Sequence, residues 1–156
     1  EIMGGHGVCV ERRETIVGTK IRPEISQKNK YWIDKHRYYE LKHFCLQYAS
    51  WKNIYRSLEE EGIYSTIFYD FLPKSKDVSN PTEKYALTKT YYSERINMIE
   101  RLAYEADEQI GGYILKAVTE DLSYTYLKTK LQIPCGKDMY YDRYRRFFWL
   151  LSETRR

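Results

Sequence analysis

The sequence predicts a mostly α-helical fold, built around one long central helix and ending in a C-terminal helix-turn-helix-like unit. Three observations carry this. Apolar residues recur at three- and four-residue spacing over most of the chain after residue 31. Asn80-Pro81-Thr82-Glu83 combines a capping side chain, a proline at the first helical position and an acid at the third, which together mark a helix start. Beyond residue 122, two periodic segments flank Gln132-Ile133-Pro134-Cys135-Gly136, the composition of a turn between helices.

Residues 1–30 read as an N-terminal arm. Gly4-Gly5-His6-Gly7 is conformationally free, and the β-branched run 8–21 predicts a hairpin or an extended strand. Residues 31–156 read as one helical domain. Its N-terminal helices occupy 31–72, a long helix 80–112 and the helix-turn-helix-like unit 113–156. In the first part, Tyr38, Leu41, Phe44, Cys45 and Tyr48 share a face, and Ser50 is the expected N-cap of a second helix. That second helix places Trp51, Ile54, Tyr55 and Leu58 inward and ends at Gly62. Pro73 to Asn80 form the best candidate loop.

The long helix has its own signature. Tyr85, Tyr92, Ile99, Ala106 and Tyr113 recur every seven residues, with Ile96, Ala103 and Ile110 on the alternate seam. The pattern predicts about 30 residues of helix, roughly 45 Å, broken or kinked at Gly111-Gly112. Such a helix spans the domain or pairs with a second copy of itself. Tyr92, Ile96 and Ile99 are therefore candidate interface residues for a homodimer. A second stripe of Leu87, Tyr91, Met98 and Leu102 widens the apolar face.

Composition narrows the function classes. With 156 residues, 42% of them apolar, the chain can bury one core. Seventeen tyrosines suit interfaces as well as a thin helical core. No apolar run reaches the roughly 18–20 residues that cross a bilayer, and residues 1–19 lack the apolar stretch of a secretory leader, so no membrane partner is expected. Three widely spaced cysteines argue for a reducing compartment, the cytoplasm of a bacterial host. Sequence motifs for phosphate loops, zincins, nucleophile elbows and CxxC pairs are absent. The half-sites His6/Cys9 and His43/Cys45 do not match each other as zinc pairs. The expectation is a non-enzymatic binding protein without metal or cofactor.

The net charge of +4 is modest, but it is unevenly distributed. Residues 20–56 carry a net +6, 57–122 a net −6 and 123–156 a net +5. Basic segments of this kind build phosphate-binding surfaces or pair with the acidic block inside the fold. The basic C-terminal segment is also where a helix-turn-helix is legible. Ser123 caps a support helix with Leu127 and Leu131 inside, and Ile133 plugs the turn. Pro134 is expected to start the next helix, whose body runs over residues 137–153. On that helix Tyr140, Tyr144, Phe147 and Leu151 form the core arc. Lys137, Tyr141, Arg145 and Arg146 lie away from it, and with Lys128 and Lys130 they are the candidate contacts to double-stranded DNA. Asp138 and Asp142 share the outer surface and repel phosphate. Trp149 falls opposite the core arc, and either a partner or residues 63–72 should cover it.

The tracts 31–51 and 123–152 resemble small phage and prophage proteins of Firmicutes. Within the second, IPCGKDMYYDRYRRFF is similar to the end of late transcriptional regulators of the ArpU/RinA type, which themselves resemble region 4 of sigma factors. The resemblance implies a phage-type DNA-binding regulator of transcription. The alternative from the residues themselves is a protein-interaction module, such as a phage-encoded inhibitor of a host or anti-phage defence complex. Its motivation is the tyrosine content, Trp149 and the acidic middle segment.

Overall fold

A computed structural model of the chain describes residues 29–62 and 80–156. The expected hairpin within residues 1–30 and the loop from Pro73 onward therefore lie outside the described residues, save Asn80. Among the described residues the chain is all helical, with no strand. The helices are α1 (Lys35–Leu46), α2 (Tyr48–Glu61), α3 (Pro81–Ala106), α4 (Gly111–Glu120), α5 (Tyr124–Thr129) and α6 (Lys137–Thr154). Helix α3 is central: α2, α4 and α6 pack against it, and α1 lies across α4 and α6.

Each start and stop has a local cause. Asp34 opens α1 by accepting the amides of His36 (2.8 Å) and Arg37, and those bonds lower its carboxyl pKa. Tyr38, Leu41, Phe44 and Cys45 are buried, as their spacing predicts. Helix α2 begins two residues before the expected cap at Ser50, which lies inside the helix. The reason is Gln47, which keeps right-handed helical angles and passes the chain from α1 to α2 without a side-chain cap. Gly62 ends α2 at φ +61°, where a side chain would be strained. Asn80 opens α3 by accepting the Thr82 amide at 3.1 Å, with Pro81 next.

Helix α3 runs 26 residues and stops at Ala106, short of the glycine pair. Asp107 ends it by turning extended (φ −164°, ψ 125°), and its Oδ1 accepts the amides of Gln109 (2.9 Å) and Ile110 (3.1 Å). Gly111 serves close approach. A Cβ there would meet Tyr104 Cδ1 at 2.7 Å and Tyr104 Cα at 2.9 Å, so its absence lets α4 start hard against the end of α3.

The seven-residue seam of α3 faces inward. Tyr92, Ile96 and Ile99 are buried within this chain's own core, so their assignment to a dimer interface is corrected. The second stripe is the one left open at its N-terminal half, where Leu87 and Tyr91 are exposed while Leu102 is buried. No described helix is long and apolar enough to cross a membrane.

The two glycines separate by test. Gly111→Ala must displace backbone and should cost about 1–3 kcal/mol in urea denaturation. Gly112→Ala, whose Cβ meets only the Tyr104 hydroxyl at 3.5 Å, should be neutral or stabilise by up to about 1 kcal/mol.

Candidate nucleic-acid interface

The candidate interface is built from α5, the following turn and α6. Ser123 caps α5 by accepting the Tyr126 amide at 3.2 Å, as expected. The helix is only six residues long and ends before Leu131; Lys130 keeps right-handed helical angles and donates to Tyr126 O at 2.9 Å, and the chain leaves the helical path after it. Gln132 turns to φ +54°, and the Ile133 amide then donates to Leu127 O at 3.1 Å. This places Ile133 fully inside the core, the plug the sequence predicted. The Tyr124 hydroxyl donates to Cys135 O at 2.9 Å and holds the far side of the turn. The connection thus occupies residues 130–136, longer than the tight turn of a minimal helix-turn-helix, and Pro134 sits within it.

Helix α6 is oriented by what it buries. Tyr140, Tyr144, Phe147, Phe148 and Leu151 form its inner arc. Phe148 is the member that the sequence reading missed; its four-residue step from Tyr144 could have found it. It packs edge-on against Tyr38 at 4.9 Å. Tyr38 and Tyr144 share a buried hydroxyl–hydroxyl bond of 3.2 Å. At the C-terminal end of α6, Arg37 donates to Ser152 O (3.4 Å) and Arg155 O (2.7 Å). Arg155 lies 3.7 Å from the Phe44 ring. Arg143, also missed, donates to Asp107 and to Asp142, each at 3.0 Å.

The predicted DNA contacts separate into two groups. Lys128, Lys130 and Lys137 are exposed around the turn and the first residue of α6. Lys128 Nζ also donates to Ile133 O at 3.3 Å, and Lys137 Nζ stands 5.9 Å from the Tyr141 ring centre. Tyr141, Arg145 and Arg146 are half-buried. Tyr141 packs on Tyr140 (5.1 Å) and Tyr124 (6.1 Å). Arg145 Nε is enclosed without a hydrogen-bond partner. Among the described residues neither Arg145 nor Arg146 forms an ion pair. Asp142 is partly neutralised by Arg143, whereas Asp138 is exposed. Trp149 is half-buried, and Tyr31 packs on it at 5.9 Å from ahead of α1. Residues 63–72, the cover expected from sequence, lie outside the described residues.

The same burial fixes the titration of the site's frame. His43 is exposed, while Cys45 is fully buried, its thiol pushed up to about 12 by desolvation. Desolvation also raises the phenols of Tyr38, Tyr140 and Tyr144. A phenol whose folded pKa lies above its unfolded value contributes stability that is fully present below about pH 10 and lost as pH rises further. Urea titrations should accordingly show stability falling above pH 10. Tyr144→Phe should make that fall shallower while costing about 1 kcal/mol at neutral pH. In a Cys9→Ser background, Cys45 and Cys135 should react with a disulfide reagent only at the rate of unfolding. No family model, curated protein or solved structure matches this chain.

Proposed function

We propose that this chain is a phage-type DNA-binding protein that regulates transcription by engaging duplex DNA through α5, the turn and α6. The observation that carries the reading is the placement of Lys128, Lys130 and Lys137. All three are exposed: Lys128 and Lys130 at the end of α5, with Lys128 reaching Ile133 O in the turn, and Lys137 at the first residue of α6, where Asp138 and Met139 are exposed as well. Between residues 140 and 152 no side chain of α6 is fully exposed. Helix-turn-helix proteins present the N-terminal residues of the second helix to base edges while flanking cations hold phosphate. Of the six contacts named from the sequence, the reading therefore gives the leading part to the three lysines and a lesser one to Arg145 and Arg146. Arg145 and Arg146 lie further along α6 and take phosphates at the groove edge.

Fluorescence anisotropy with labelled duplexes at several salt concentrations tests this. Replacing Lys128, Lys130 and Lys137 together with alanine should weaken binding at least tenfold. The same replacement should flatten the salt dependence by about 0.9 for each phosphate that is no longer neutralised. Arg145→Ala with Arg146→Ala should weaken binding less. Unchanged affinity and slope in the triple variant would remove the proposal.

A second reading is a non-enzymatic protein-interaction module, such as an inhibitor of a host or anti-phage defence complex. It is favoured by Tyr39 and Leu46, seven residues apart on one side of α1, which stand 42% and 36% exposed. Its signature is a protein partner retained after nuclease treatment, with no shift of naked duplex.

A further inference from the structure

Helix α3 carries two stripes. One, through Tyr92, Ile96, Ile99 and Ala103, is buried. The other runs Lys84, Leu87, Tyr91, Glu94, Met98, Arg101, Glu105, stepping three and four residues alternately over three heptads. Leu87, Tyr91, Glu94, Arg101 and Glu105 are exposed on it, and Lys84 and Met98 are half-buried. At 64%, Leu87 has the highest fractional exposure among the described large hydrophobic residues, and Tyr91 stands at 48%. Its apolar members, Leu87, Tyr91 and Met98, are spaced by four and seven residues and share one face, with charged residues at the positions between and beyond them.

We propose that this outer stripe pairs with the same stripe of a second copy, the two α3 helices running antiparallel about a two-fold axis between Glu94 and Arg95. Charge complementarity selects both the partner and the direction. A parallel pair in register would set Lys84, Glu94, Arg101 and Glu105 each against its own like charge. The antiparallel pair sets Lys84 against Glu105 at each end and Glu94 against Arg95 at the centre, each twice by symmetry. It also sets Tyr91 against Met98, a sulfur–aromatic pair, and lays Leu87 over the Leu102 turn. Arg95, beside the stripe, now lies over the Tyr91 ring at 3.2 Å and donates to Tyr91 O at 3.0 Å, one turn from the axis, so pairing with Glu94 of the second copy turns its guanidinium away from Tyr91. The stripe carries both signs, which suits a copy of itself better than a polyanion. The inference does not rest on DNA binding.

Sedimentation equilibrium of the full chain at low and high salt reads the outcome. The expected result is a salt-sensitive monomer–dimer equilibrium. Leu87→Glu, at an exposed position and with folding checked by circular dichroism, should weaken it at least tenfold. Glu94→Arg and Arg95→Glu should each weaken it alone, and the double exchange should restore it to within a few-fold. A wild-type chain that stays monomeric at the highest attainable concentration overturns the proposal. So does a dimer indifferent to Leu87→Glu, or one that the double exchange fails to restore.

Discussion

Burial of the aromatic arc of α6 against α3 and α1 is the constraint on which the rest depends. Tyr140, Phe147, Phe148 and Leu151 are almost wholly removed from water, and Tyr144 nearly so. At about 1.5–3 kcal/mol for each large apolar side chain, this one face outweighs any polar contact in the domain. It also leaves α6 little rotational freedom. Turning the helix by one residue would carry Arg143 or Arg146 into the space held by Tyr144 and Phe147. The positions of Lys137, Asp138 and Met139 at the open end are therefore a consequence of what the opposite side buries.

Polar contacts refine that placement. Asp107 holds two structures together: Oδ1 caps the turn after α3, and Oδ2 takes the Nε of Arg143 on α6. Its side chain is only 12% exposed, so the pair is better shielded than a surface salt bridge. Arg37 works at the other end of α6, satisfying carbonyls that the helix terminus leaves without partners. The acidic middle segment and the basic segments do pair in places, as Lys52 with Glu100 and Lys42 with Asp121 show. The lysines around the turn do not join these pairs, which leaves a local positive surface on a chain of small net charge.

The legible parts of the fold were those written in local chemistry. Asn80-Pro81 and Ser123 opened helices where their side chains predicted, and the α1 face and the Ile133 plug followed from spacing alone. What failed had two causes: a competing local signal, and burial by distant parts of the chain. The end of α3 was assigned to Gly111-Gly112, since glycine is the usual breaker, whereas Asp107 ends it with a side-chain turn that competes with the helix. The inner seam through Tyr92, Ile96 and Ile99 was found, with either the domain itself or a second copy to cover it, and the chain's own core does so. Periodicity says that a face is buried, not by which helix. Exposure on α6 was misjudged for a related reason: an angular projection places Arg145 and Arg146 outside, but it ignores the rest of the chain that half-covers them.

Asp138 stands where a phosphate-binding surface should tolerate no acid. Helix α6 begins at Gly136 without a side-chain cap, so the amides of its first turn have no acceptor of the kind that Asp34, Asn80 and Ser123 give α1, α3 and α5. Asp138 is the one acid in that first turn, and its charge offsets the positive end of the helix dipole. The residue is thus explained by helix initiation at a cap that cannot help. If the lysines around it hold a duplex, as proposed, its carboxylate has two consequences there. It opposes phosphate, which lowers indiscriminate affinity, and it is an acceptor that only an exposed amino group on a base edge can satisfy. The same charge that starts the helix would make the lysines around it depend on which bases lie beneath.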